Sequence, residues 1–254
     1  MTHRAGGLRL PHLVRSGREQ MDLDHSLLLW AASGPDRFAA RTYGWARPTL
    51  SLGRAEPFPG GFDEAALEAA GIDVARRPTG GDAVLHDEEV TFAVAASIPG
   101  PWRLRPRGFV TRVAESLADA LRSLGLDAGV VPHAEWRVPA ETGSRDAPLP
   151  PGARPCFARA AAGEVQVAGM KTAGIASRFT RGAALCHASV PLTARHRDVA
   201  AFRRDPAPAL AEIRLHARSV GEALGRAPDP AAMEARILQA LEERFGVRLE
   251  EGAP

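Results

Sequence analysis

Apolar positions along the chain follow two periods. From Gly17 to Ser33, "GREQMDLDHSLLLWAAS", Met21, Leu23, Leu27, Leu28 and Trp30 recur at helical spacing and predict a helix. From Phe109 to Gly125, Val110, Val113, Leu117, Leu121 and Leu124 line one face of the clearest amphipathic helix. "FDEAALEAAG" (Phe62 to Gly71) predicts a short helix, with Asp63 as N-cap and Gly71 as its stop. "DPAAMEARILQALEERFG" predicts another, with Asp229 as N-cap and Pro230 as first helical residue, before a short "VRLEE" strand.

The second period is two. "RFAARTYGWARPTLSLGR" (Arg37 to Arg54) reads as two strands around a Gly44–Pro48 turn. "IDVARR" reads as a strand leading into "PTGGD" (Pro78 to Asp82), and "AVLHDEEVTFAVAAS" as one or two strands. "GEVQVAGMKTAGIASRFTRGAALCHASVPL" (Gly163 to Leu192) reads as a meander with glycine turns. Between the halves lies "VPAETGSRDAPLPPGARP" (Val138 to Pro155), rich in proline, glycine and charge, which predicts a long mobile loop. The alternation of the two periods predicts an α/β (α+β) fold, a mixed β-sheet with packed helices.

Composition narrows the function classes. The 254 residues suffice for one large domain or two small ones. A net charge of +2, a single tyrosine and no basic run argue against nucleic-acid binding. The N-terminal residues lack the apolar run of a signal peptide, and no stretch is long and apolar enough to span a bilayer. A cytoplasmic protein with no membrane partner is expected. The two cysteines, Cys156 and Cys186, argue against a structural zinc site, and no metal is expected. Lysine and arginine together number 32, yet Lys171 is the only lysine. Alanine, glycine, proline and arginine are all abundant, as GC-rich codons would favour. A lysine that persists against that drift is a candidate for work that needs a compact, titratable ammonium, or else one surface lysine that survived by chance.

Three stretches carry candidate chemistry. "RRPTGGDAVLHD" (Arg76 to Asp87) places two arginines before a Thr79-Gly80-Gly81 turn, where glycine backbone can lie against a ligand. It reads equally as a tight hairpin with solvated arginines. Cys156, in "PCF", reads as a nucleophile if the Lys171 ammonium lowers its pKa, or as a small buried apolar residue. Cys186 lies in an apolar run and reads as core. His86 and His187 are each candidates either for the pocket or for a hydrogen-bonded structural role.

These motifs, in order, resemble the lipoate-protein ligase and octanoyltransferase family. "YGWARPTLSLGR", "RRPTGGDAVLHDEEVTFAV", "PCF", "GMKTAGIAS" and "ALCHASVPL" carry the likeness, from about residue 10 to 249. The resemblance implies a biotin/lipoate protein ligase-like catalytic domain spanning residues 1–254, without a separate accessory C-terminal domain. Cys156-Phe157 stands where the monomeric-type octanoyltransferases carry their cysteine. The resemblance therefore implies transfer of octanoyl from acyl carrier protein to the lysine of a lipoyl domain, in glycine cleavage H protein or a 2-oxoacid dehydrogenase E2, through a cysteine thioester. It places Cys156 and Lys171 in catalysis and Arg76, Arg77, Thr79, Gly80, Gly81, Ala83, His86, Gly174 and Ala176 around the substrate. Ala83, Val84 and the segment from Thr91 to Val94 are candidates for the wall of an acyl tunnel. No cofactor is implied. The alternatives are an ATP-dependent lipoate ligase using Mg-ATP, an amidotransferase between lipoyl domains, and a non-catalytic acyl- or lipoyl-domain-binding relative. The chain departs from the family pattern in "ARAAAGE" after Phe157, which keeps only Glu164, in Ile175 for serine, and in Glu56 for glutamine.

Overall fold

Strict alternation in the apolar strands sets up the core. In the computed structural model, which describes residues 5–98, 100, 105–132, 157 and 163–253, the main sheet has seven strands. Their order is β11 (Gly174–Thr180), β12 (Ala183–Pro191), β7 (Glu89–Ser97), β3 (Phe38–Trp45), β1 (Ala5–Arg9) and β13 (Val247–Glu251). A short β2 (Leu13–Arg15) also pairs with β3. The strands from β11 to β3 are antiparallel, whereas β3, β1 and β13 run parallel.

One face of this sheet carries Phe38, Ala40, Phe92, Val94, Cys186 and Ala188 into a cluster with α3 (Pro106–Arg122) and α6 (Pro230–Phe245). Phe109, Val113, Leu117 and Leu121 of α3 are fully buried there, each contributing about 1.5–3 kcal/mol of apolar burial. The opposite face is covered by α1 (Gly17–Ala32), through Met21, Leu27, Leu28 and Ala31. Ser16 caps α1 in a capping box with Glu19. Because side chains alternate, the residues that β3, β7 and β12 turn toward α1 are Arg41 and Tyr43, Thr91 and Ala93, and His187 and Ser189. Register aligns Arg41, Ala93 and His187 in one row across the three strands.

Two three-stranded sheets flank this core. One joins β5 (Asp73–Arg76), β4 (Thr49–Leu52) and β6 (Val84–His86); the other joins β10 (Met170–Lys171), β9 (Val165–Val167) and β8 (Ala128–Val130). The two strands expected around Gly44–Pro48 both form, but in different sheets, so the turn carries the chain from one sheet to the other. The expected meander divides likewise: β9 and β10 pair with each other, while β11 and β12 join the main sheet. The β4–β6 sheet packs Leu50, Leu52, Ala83, Val84 and Leu85 against Phe157, the 3-10 stretch Ala194–Phe202 and α4 (Pro206–His216). α2 (Glu64–Ala69) is capped by Asp63, with Gly71 beyond it at positive φ, as expected. The segment expected to be a mobile loop, residues 138–155, lies outside the described residues. No helix of the described residues is long and apolar enough to cross a membrane.

Candidate active site

The Thr79-Gly80-Gly81 turn joins β5 to β6, and its carbonyls all face the protein. Arg54 N–H donates to the Thr79 carbonyl at 2.8 Å. Arg77 is buried and donates to the Gly80 carbonyl at 2.9 Å, to the Asp82 carbonyl at 2.7 Å and to the Ser51 carbonyl at 2.9 Å. Arg76 holds the facing loop through the carbonyls of Gly53 (2.8 Å) and Glu56 (2.7 Å). Gly53 has no room for a side chain, since a Cβ there would sit 1.9 Å from the Gly81 oxygen. The N–H groups of Gly80 and Gly81 donate to no acceptor among the described residues, and both residues are exposed. A turn with the Thr79 and Gly80 oxygens tied back and two N–H groups unspent can accept an anion or a polarised carbonyl. Glu56 clamps the base of the turn: its two oxygens accept from Gly53 N–H (3.0 Å) and Ala83 N–H (3.2 Å). Burial raises the pKa of Glu56 against the pull of those N–H groups and Arg77.

Two carboxylate–imidazole–hydroxyl chains stand behind the turn. In the first, Asp24 Oδ2 accepts from His187 Nδ1 (2.9 Å), and His187 Nε2 accepts from the Thr79 hydroxyl (2.7 Å). The ionised carboxylate can only accept, which assigns the proton to Nδ1 and leaves Nε2 as acceptor. Arg41 donates twice to Asp24 Oδ1 (2.9 and 2.7 Å), and Tyr43 OH donates to Oδ2 (3.0 Å). Burial alone would raise the Asp24 pKa, but Arg41 and His187 outweigh it and hold it below the ordinary value. Burial lowers the His187 pKa, against the pull of Asp24, and keeps the ring neutral. In the second chain, Glu89 accepts from His86 Nδ1 (2.7 Å), and His86 Nε2 accepts from Ser51 Oγ (2.7 Å). Glu89 also accepts from Trp45, Thr91 and Ser189. The His86 ring stacks on Trp45, with centroids 4.1 Å apart.

Lys171 lies at the end of the β9–β10 hairpin and is 1% exposed. Its Nζ donates to Glu164 at 2.7 Å and rests 5.1 Å from the centroid of the Phe157 ring. The Phe157 ring also meets His196, with centroids 5.1 Å apart. Phe157, Ala83 and Val84 belong to one apolar cluster, which joins Lys171 to the strand that follows the glycine turn. A surface crevice of about 440 Å³ beside α2, lined by Arg47, Phe58 and Leu67 among others, contains none of these residues.

Residues 16–242 match the lipoyl protein ligase A/B catalytic domain model. This chain belongs to that family. An octanoyltransferase LipM of Kyrpidia tusciae is 33% identical over 96% of this chain and 89% of its own. A LipM of Moorella thermoacetica is 29% identical over 91% and 84% respectively. Among solved structures, lipoate-protein ligase A bound with ATP superposes with TM-score 0.71 at 21% identity, covering 98% of this chain and 90% of that one. The bipartite lipoate protein ligase of Thermoplasma acidophilum, solved with its E2 lipoyl domain, gives TM-score 0.73 at 20% identity, covering 98% and 87%. The fold is thus that of the lipoate-protein ligases, as the sequence motifs implied.

Within this ligase-family fold, the expected site residues fall in several places. Thr79, Gly80, Gly81 and Ala83 form the turn and its exit, and Lys171 reaches their cluster through Phe157. Arg76 and Arg77 hold loop and turn carbonyls, and His86 bonds Ser51 and Glu89, so all three support the turn. Gly174 and Ala176 lie on the edge strand β11, paired with Ser189 and His187. Of the candidate tunnel wall, Phe92 and Val94 pack in the α3–α6 core, Thr91 and Ala93 face α1, and Ala83 and Val84 lie in the cluster with Phe157. Cys186 is buried, with its thiol pushed up to about 12 by burial, so it is inert. Cys156 lies outside the described residues. Asp24 and Arg41 escaped the sequence reading, although a signal was present. Asp24 falls three residues after Met21 and four before Leu28, on the apolar stripe of α1, and Arg41 interrupts an apolar strand.

Proposed function

We propose that this chain is an octanoyltransferase of lipoyl-group assembly and that Cys156 carries the acyl group. The observation that carries this reading is the Lys171 ammonium on the ring of Phe157, the covalent neighbour of Cys156. The identity to octanoyltransferases across nearly the whole chain supports the same branch. The Cys156 thiolate attacks the carbonyl of an octanoyl thioester on acyl carrier protein. The C–S bond to the carrier breaks, the carrier's sulfur leaves as a thiolate, and an S-octanoyl enzyme remains. The neutral ε-amine of a lipoyl-domain lysine then attacks that thioester. An amide forms, the C–S bond breaks, and the amine proton returns to the cysteine sulfur. The N–H groups of Gly80 and Gly81 receive the negative charge on the carbonyl oxygen as each tetrahedral intermediate forms. Lys171 favours the thiolate, while Glu164 holds the ammonium in place. No nucleotide takes part in this scheme.

Mass spectrometry of the intact chain mixed with octanoyl-carrier protein tests the scheme. The wild type acquires one octanoyl group, and Cys156→Ala acquires none and transfers none to a lipoyl domain. Undiminished transfer by Cys156→Ala would overturn the assignment. Pyrophosphate release from ATP in the presence of lipoate would identify a ligase instead.

A further inference from the structure

The chain Asp24–His187–Thr79 has the order and spacing of a catalytic triad, carboxylate to imidazole to hydroxyl. Thr79 is fully buried, so its oxygen cannot reach a substrate carbonyl and is not a nucleophile. What the chain does control is the turn that begins at Thr79. The Arg41 guanidinium and the Tyr43 hydroxyl fix the Asp24 carboxylate. Asp24 fixes the ring and tautomer of His187 by accepting the hydrogen bond from its Nδ1–H. The remaining lone pair on Nε2 obliges the Thr79 hydroxyl to donate, which sets its rotamer. The Thr79 carbonyl is tied separately to Arg54 N–H. The residue before the two unspent glycine N–H groups is therefore held at both its side chain and its backbone.

A set of buried charges is a poor way to gain stability alone, since packed apolar residues serve as well. Its strength is direction. The row Arg41–Ala93–His187 places a small alanine between the two polar side chains on the α1 face, and Asp24 bonds to both. Burial keeps His187 neutral, as an acceptor must be.

The geometry points to Asp24 and His187 as positioning residues that aim the Gly80 and Gly81 N–H groups at the reacting carbonyl, through the hydroxyl of Thr79. The inference rests on the octanoyl-transfer reading only for the identity of that carbonyl.

Two measurements on the full chain decide it: steady-state octanoyl transfer, and the amide resonances of Gly80 and Gly81. In His187→Leu and Thr79→Val both resonances shift, and kcat falls by on the order of 10- to 100-fold while KM stays within about threefold. His187→Gln presents an amide that donates to Asp24 and accepts from Thr79, so it returns the resonances toward wild type and recovers most of kcat. If His187→Leu fails to fold, the near-isosteric Thr79→Val carries the test. Unmoved glycine resonances in Thr79→Val, or a glutamine variant as impaired as the leucine one, would overturn the relay. If the wild type transfers no octanoyl group, the proposed reaction fails, and the resonances still decide whether the relay aims the turn.

Discussion

At the scale of the residue, the turn depends on where side chains are forbidden and where an ammonium is required. Gly53 and Gly80 make a controlled pair. A Cβ on Gly53 would overlap the Gly81 oxygen at 1.9 Å, whereas a Cβ on Gly80 meets nothing within 4 Å. Gly53→Ala must push the turn away from Arg77 and Glu56. It is expected to lower thermal stability by several degrees and transfer rate by at least tenfold. Gly80→Ala is expected to leave the melting temperature within about two degrees, so any loss of rate comes from a methyl beside the N–H pair. Equal melting losses would contradict the packing. Lys171 is the second case. Its slot is closed by Glu164 and the face of Phe157, and only 1% of the residue is exposed. A guanidinium is larger, planar and forked. Lys171→Arg is expected to lose at least about 90% of transfer activity while circular dichroism stays native. Near-wild-type rates would show that charge alone suffices. Glu56 fits the same logic. Glutamine has one accepting oxygen, so it cannot serve both Gly53 and Ala83 through separate atoms as the carboxylate does.

At the scale of the element, the β9–β10 hairpin places Lys171 by register, with Met170 opposite Val167 and Lys171 opposite Gln166. Its two-residue turn has Ala168 at φ 47° and Gly169 at φ 79°. Positive φ at both central positions suits Asn-Gly, whereas alanine there is strained by about 1–2 kcal/mol. Ala168 is exposed, so a larger side chain has room. Ala168→Asn is expected to raise stability by about 0.5–1 kcal/mol in urea unfolding with transfer unchanged. A destabilised variant would mean that the turn is held otherwise. The sequence showed that a turn belonged at these residues, because glycine punctuates two apolar runs. Helices and strands were legible for the same reason, as their periods are written locally. What was not legible was which strands pair. β3 and β4 are neighbours in sequence and lie in separate sheets, and β12 pairs with β7 across 85 or more intervening residues. Such pairing is decided by which apolar faces meet, and no local pattern encodes that. Arg77 shows the limit at the site. Its place next to the turn was readable, but the carbonyls that claim its guanidinium come from β4 and from the turn's own fold.

At the scale of the whole molecule, the buried histidines connect the site to global stability. His187 and His196 are both nearly inaccessible, and burial holds both below the ordinary histidine pKa. His187 faces Asp24, Arg77 and His86; His196 faces Thr193, Arg197, Glu222 and Glu89. In the unfolded chain each titrates near pH 6.5. Above that pH both states are neutral at these positions, and their contribution to stability is fully present. As pH falls below about 6.5, the unfolded chain takes up protons that the fold resists, so stability declines until the folded pKa values are reached. Asp24 adds a later step, because its folded pKa also lies below the ordinary value and its contribution is lost in stronger acid. The expected outcome is a urea midpoint that falls steadily between about pH 7 and pH 5. His187→Gln combined with His196→Gln should flatten that slope while leaving the acid step of Asp24. A midpoint constant across this interval in the wild type would mean that water reaches both rings. A slope unchanged in the double variant would place the proton uptake on other groups.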